Sequence, residues 1–334
     1  MRRLVIADVF PRDGLQVLVH EAHLRQPSTE EKLALIAAID RTGVAEIEIT
    51  GFVHPRVIPA LADAERVAQA AERAPHRAVF RALVPNLRGA ERAIAAGVRK
   101  LSCLIVASET YQRLNSRMSV GENLVEIERI LRLARRHDVQ VAVGIGTSFV
   151  CPYEGVIEQR ALENVCERVV ALGVQEVTLA DSVGLAWPAL VRERCAAVLR
   201  RWPEVRLGLH LHTLAGLALA NALAGWDAGA TMFEGSAGGI GGGIAMPVHT
   251  TTMGNVATED LVYLFEHSGI PTGVDLEAMA AAGRRAQEVM GTGSGHVTPF
   301  GSLEAFLKRS REALPTLLAA PPGASCQATC GPAR

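Results

Sequence analysis

Short apolar runs alternate with longer amphipathic segments along the chain. The strand-like runs cover residues 4–10, 46–53, 77–84, 100–107, 139–145, 176–180, 206–213 and 231–235. Helical patterns follow them at 29–42, 59–73, 89–96, 121–137, 158–172, 187–201, 216–228 and 258–267. Punctuation agrees: Ser28-Thr29-Glu30-Glu31 reads as a helix start, and Gly43, Gly97, Gly173 and Gly229 follow helical patterns as caps. Strand and helix in alternation imply a parallel sheet. Eight such units between residues 4 and 267 fit a (β/α)8 TIM barrel, with a doubly wound open sheet as the alternative.

The polar residues separate the two. Nearly every run ends, on its C-terminal side, in groups able to do chemistry: Arg12-Asp13, Glu48, Asn86, Ser108-Glu109, Thr147-Ser148 with Cys151, Asp181-Ser182, then His210 and His212. A barrel gathers these at one mouth, whereas an open sheet spreads them along an edge, so the barrel is preferred. Two further helical patterns, 276–290 and 302–318, add C-terminal helices. The expected division is a barrel over 1–290, a helical extension over 291–318 and a disordered Pro/Gly/Ala-rich tail over 319–334.

Composition narrows the function. The net charge of −1 and the lack of a basic run argue against nucleic acid. Charged residues interrupt every apolar stretch short of a bilayer span, and the start of the chain carries no signal-peptide pattern. Six scattered cysteines without a Cys-x-x-Cys pair argue against a disulfide framework, so a cytoplasmic protein is expected. Only Lys32, Lys100 and Lys308 are present, and none falls at the C-terminal end of a predicted strand. That disfavours a Schiff base or a carbamylated lysine, and leaves a metal as the electron sink for any carbon–carbon chemistry.

His210-Leu211-His212 lies in a strand-like run, so both imidazoles project to one side. Such a pair either holds a divalent metal or donates hydrogen bonds inside a core. A hard ion also wants oxygen donors. Asp13 is the candidate carboxylate, because strand one of a closed barrel lies near strand seven, with a turn or helix-capping aspartate as the alternative; the Asn255 carbonyl oxygen could complete the set. Arg12 either stabilises an enolate oxygen or forms a surface ion pair. Glu48, a carboxylate in an apolar strand, needs a partner such as Arg12 or a metal-bound water. Asp181 either acts as general base or orients one. The glycine-dense stretch 237–244 reads as a mobile lid over the mouth, or as a flexible connection.

With these residues in view, the chain resembles the 3-hydroxy-3-methylglutaryl-CoA lyases, within a metal-dependent superfamily of barrel lyases and Claisen synthases. The matching stretches are Phe10-Pro11-Arg12-Asp13-Gly14-Leu15-Gln16, Ile47-Glu48-Ile49-Thr50-Gly51-Phe52-Val53, Val84-Pro85-Asn86, Cys151-Pro152-Tyr153-Glu154-Gly155, Leu179-Ala180-Asp181-Ser182-Val183-Gly184, His210-Leu211-His212 and Gly254-Asn255-Val256-Ala257-Thr258-Glu259-Asp260-Leu261-Val262-Tyr263. The resemblance implies Mg²⁺ or Mn²⁺ (Zn²⁺ or Co²⁺ as alternatives) held by Asp13, His210, His212 and Asn255. It implies catalytic work for Arg12, Glu48 and Asp181, substrate contacts from Gln16, Asn86, Gly241, Gly242 and Gly243, a small-molecule CoA thioester as substrate, and a homodimer. The reaction it implies is retro-Claisen cleavage of a 3-hydroxyacyl substrate. A condensing synthase and a catalytically dead metal-binding paralogue are the alternatives.

Departures fall at the reacting centre. Gly243 stands where the family's glycine loop carries a catalytic cysteine, and Thr213-Leu214-Ala215-Gly216 replaces the usual Asp-Thr-Tyr-Gly. His249, on the altered loop, is either the general acid or base in place of that cysteine or a solvent-exposed loop histidine.

Overall fold

A computed structural model describes residues 2–21, 23–243 and 254–319. In chain order the strands are β1 (Val5–Asp8), β2 (Glu46–Gly51), β3 (Val79–Leu83), β4 (Lys100–Val106), β5 (Gln140–Gly146), β6 (Val150–Cys151), β7 (Gly155–Val156), β8 (Glu176–Asp181), β9 (Arg206–Leu211) and β10 (Met232–Gly235). Eight of them close a barrel in the order β1-β10-β9-β8-β5-β4-β3-β2, with every neighbouring pair parallel. The helices are α1 (Thr29–Asp40), α2 (Ala64–Arg73), α3 (Leu87–Ala95), α4 (Glu109–Ser116), α5 (Val120–Arg136), α6 (Gln159–Ala171), α7 (Pro188–Arg201), α8 (Ala218–Ala228), α9 (Thr258–His267), α10 (Leu276–Met290) and α11 (Leu303–Ala319). The barrel reading therefore holds, and the open sheet is excluded. No helix among the described residues is long and apolar enough to cross a membrane.

Alternation along each strand divides the molecule into two layers. Ile47, Leu101, Ile105, Val143, Ile145, Val177, Leu179, Leu207 and Leu209 face outward and are buried under the helices. The inward rows carry charge. At the N-terminal end of the barrel, Lys100 Nζ lies 2.8 Å from Glu46 and 2.7 Å from Glu176, and Arg206 closes the group at 2.6 Å from Glu46. One layer higher, Arg81 pairs with Glu234 and lies 3.7 Å from Glu48. Removing one partner of so buried a pair costs about 3–5 kcal/mol, because the other charge is left uncompensated. Lys100 thus sits at the end of the barrel opposite the strand C-termini, as its position in the sequence implies.

Several local features differ from expectation. The first strand is shorter, and Gly14–Val19 form a 3-10 helix just past it. The run 59–73 splits into a 3-10 turn at Pro59–Leu61 and α2. Helix α4 has no counterpart in the sequence reading; the Ser108 side chain caps it by accepting from the Tyr111 N–H at 3.0 Å. The antiparallel β6–β7 ribbon was also unforeseen. In β2 the register shifts between Glu48 and Thr50, a bulge that bends the strand beside the site.

Candidate active site

Asp13, His210 and His212 come together at the C-terminal end of the barrel, their candidate ligand atoms all within 4.8 Å of one another. His210 Nε2 and His212 Nε2 face each other at 3.0 Å. Strand alternation aims both rings inward, and the β1–β10 pairing that closes the barrel brings Asp13 alongside. Asn255 donates Nδ2–H to Asp13 Oδ2 at 2.7 Å, while its buried Oδ1 has no hydrogen-bond partner. An orphaned amide oxygen is costly unless something binds it. A divalent cation fits this set: a carboxylate, two imidazole nitrogens and an amide oxygen, all buried.

Electrostatics agree. Burial and the neighbouring His210 push the His212 pKa down to about 4, so its lone pair is available at neutral pH. Burial also opposes charge on Asp13, but Arg12 and the two histidines hold its carboxyl below the usual range. At His210 burial disfavours the proton, yet the hydrogen bond it donates to Glu234 and the charge of Asp13 carry its pKa above the ordinary value. Glu234 lies 2.9 Å from His210 Nδ1, so Nδ1 carries the hydrogen and Nε2 is left free to ligate.

Arg12 bridges Asp13 and Glu48 through its guanidinium, and Gln16 Nε2 donates to Asp13 Oδ1. Arg12, Asp13, Gln16, Glu48, Asn86, His210, His212 and Gly243 all line one cavity of about 340 Å³. Asn86 Oδ1 caps α3 by accepting from the Gly89 N–H at 2.9 Å. Gly241 packs against the ligand set: a Cβ there would meet Asn255 Nδ2 at 2.1 Å and Asp13 Oδ2 at 3.0 Å, and its φ of +149° also favours glycine.

Asp181 does not line this cavity. It is buried beside the cavity, between its lining neighbours Ala180 and Ser182. Its carboxylate accepts from the N–H groups of Gly184 and Ala186 at 3.1 Å, which ties down the turn after β8. Burial raises its pKa to about 6 against those hydrogen bonds. His249 lies outside the described residues. Residues 237–241 of the glycine stretch do not form a loose lid: they are buried, and Gly238 donates its N–H to Glu259 at 3.1 Å. Buried polar partners fix this backbone, which glycine content alone does not reveal.

The residues that sequence reasoning missed are Glu234, Arg81 and Glu259. Each is a charged side chain in an otherwise apolar run or a helix start. The signal was the cost of burying such a group, already used for Glu48.

A parallel barrel with an Asp/His/His ligand set at its C-terminal mouth defines a class of candidate metal-dependent barrel enzymes. Residues 3–285 match the HMGL-like family. An (R)-citramalyl-CoA lyase of Chloroflexus aurantiacus is 38% identical, covering 84% of this chain and 89% of that protein. A hydroxymethylglutaryl-CoA lyase of Bacillus subtilis is also 38% identical, covering 87% and 94%. The solved structure of an HMG-CoA lyase from Acinetobacter baumannii, in complex with coenzyme A and 3-methylmalate, superposes with a TM-score of 0.81 at 34% identity, covering 89% of this chain and 94% of that one. The chain belongs to the HMGL-like family and is a carbon–carbon lyase of the hydroxymethylglutaryl-CoA lyase type.

Proposed function

We propose that the protein cleaves a 3-hydroxyacyl-CoA thioester by a retro-Claisen reaction, with 3-hydroxy-3-methylglutaryl-CoA as the reference substrate. The observation that carries this reading is the convergence of Asp13, His210 and His212 on the wall of a cavity that Arg12 also lines. Asp13, His210, His212 and the Asn255 oxygen would hold Mg²⁺ or Mn²⁺. When bound, the ion supplies Lewis-acid polarisation of the substrate oxygens.

The chain's own groups do the rest. The tertiary hydroxyl gives up its proton to His249, and the bond between the carbinol carbon and the thioester's α-carbon breaks. Its electron pair passes to the departing acetyl-CoA enolate, which then takes up a proton at carbon. Acetoacetate is the other product of the reference substrate. Arg12, held in place by Glu48, faces the cavity and stabilises the developing enolate charge. Gln16 donates to the same Asp13 oxygen as Arg12 and helps fix the carboxylate rotamer. Asp181 acts on the site through the turn it holds. His249 is assigned the final proton transfer, in place of the family's cysteine.

The test is release of acetyl-CoA and acetoacetate from 3-hydroxy-3-methylglutaryl-CoA, with Mn²⁺ or Mg²⁺ and with chelator. Metal-dependent release supports the reading. No release from folded, metal-loaded protein refutes it for this substrate. Full activity in His249→Ala removes that residue from the mechanism.

A further inference from the structure

The cavity extends past the ligand set into the barrel. On the β4, β5 and β8 side its wall is built from short side chains: Ala142, Gly144 and Gly146 on β5, Thr178 and Ala180 on β8. These inward positions alternate with Val143, Ile145, Val177 and Leu179, which are buried under the helices. In register, Ala180 lies beside His210, whereas Gly144 lies between Leu104 and Thr178, one step deeper.

Leu104 is 37% exposed, although it stands mid-strand in the inward row of a closed barrel. Barrels of this kind normally fill their interior with side chains. A leucine keeps that much open surface here because the space beside it is empty. Gly144 is what leaves it empty. Its φ is not among the positive values that require glycine. A Cβ there would find nothing nearer than Leu104 Cδ1 at 3.6 Å, an ordinary contact. Neither backbone nor packing demands a glycine, so its effect at this position is the open volume. The deeper inward positions, Ser102 and Arg81, also line the cavity, and Ser102 Oγ and Arg81 Nε have no hydrogen-bond partner. They form a polar floor to an otherwise apolar arm.

We propose that this arm is a subsite for an aliphatic chain, longer than methyl, on the carbinol carbon of the substrate. The inference rests on the lyase reading above and sharpens it. With the carbinol oxygen at the ligand set, the chain runs past Ala180 to lie between Leu104 and Gly144. The polar floor at Ser102 and Arg81 limits its length.

The test uses the whole protein with Mn²⁺ and a series of 3-hydroxy-3-alkylglutaryl-CoA thioesters running from methyl to butyl. One methylene in an apolar pocket is worth about tenfold or more in kcat/KM. The wild-type value is therefore expected to rise by at least about tenfold from methyl to its optimum. Gly144→Val fills the arm, and the butyl-to-methyl ratio is expected to fall by about tenfold or more. Leu104→Phe makes the same comparison from the neighbouring strand if Gly144→Val fails to melt like wild type. Cleavage of the methyl thioester with a flat or falling series overturns this proposal alone, as does an unchanged ratio in both folded variants. Cleavage of no thioester by folded, metal-loaded protein overturns the lyase reading and this proposal with it.

Discussion

Glu234→Gln isolates the part of the site that sequence reasoning missed. Glu234 does two jobs in the structure: it accepts from His210 Nδ1 at 2.9 Å and pairs with Arg81 inside the barrel. Glutamine keeps the shape and removes the charge. Loss of an outer-shell partner of a metal-ligating histidine lowers metal affinity about 10–100-fold. That corresponds to about 1.4–2.8 kcal/mol, since each tenfold step is about 1.4 kcal/mol. The same change leaves Arg81 with only Glu46 and Glu48, at 3.6 and 3.7 Å. Breaking a buried pair costs about 3–5 kcal/mol, and these two remaining carboxylates place the expected loss near the lower end, at about 3 kcal/mol. Calorimetric titration with Mn²⁺ reads the first effect, and urea denaturation of metal-free protein reads the second. Glu234→Asp should fall between wild type and Glu234→Gln in both. If Glu234→Gln binds Mn²⁺ within threefold of wild type, the orientation argument for His210 is wrong, whatever happens to stability.

Gly241→Ala places a Cβ 2.1 Å from Asn255 Nδ2, so Asn255 must leave Asp13; Mn²⁺ affinity should fall at least about tenfold by the same orientation argument, and unchanged affinity would remove Gly241 from the site. Glu259 carries the pH prediction. Burial raises its pKa from 4.5 to about 8, so the folded state keeps a proton that the unfolded chain releases. Its contribution to stability is complete below about 4.5 and is lost as pH rises through about 8. Stability measured by urea denaturation should therefore decline less steeply between those limits in Glu259→Gln than in wild type; an equal slope refutes the assignment. Arg12→Lys keeps a charge but loses the guanidinium that reaches Asp13 and Glu48 together; kcat should fall by about 10²-fold or more if Arg12 steadies the enolate, and a near-normal kcat excludes that role.

His210 and His212 were legible because strand periodicity puts alternate residues on one face. Asp13 and Asn255 were legible once the barrel was accepted, since closure sets which strand ends become neighbours. The Arg81–Glu234 pair was not. Its partners lie 153 residues apart, and nothing in either apolar run says which distant charge offsets which. Gly144 shows the same limit in another form. In the sequence it is a weak strand residue, and the space it opens exists only beside an inward-facing Leu104. The glycine stretch misled for a related reason: Glu259 and Ser294 hold Gly238 and Gly239, and both lie well downstream of them.

The most direct test of the account compares wild type with Asp13→Ala for acetyl-CoA release from 3-hydroxy-3-methylglutaryl-CoA at saturating Mn²⁺, each repeated with excess chelator. Release by wild type that stops with chelator and is lost in a folded Asp13→Ala variant is the predicted result. Release that survives both chelator and the substitution would contradict the claim that this barrel breaks carbon–carbon bonds at the Asp13–His210–His212 centre.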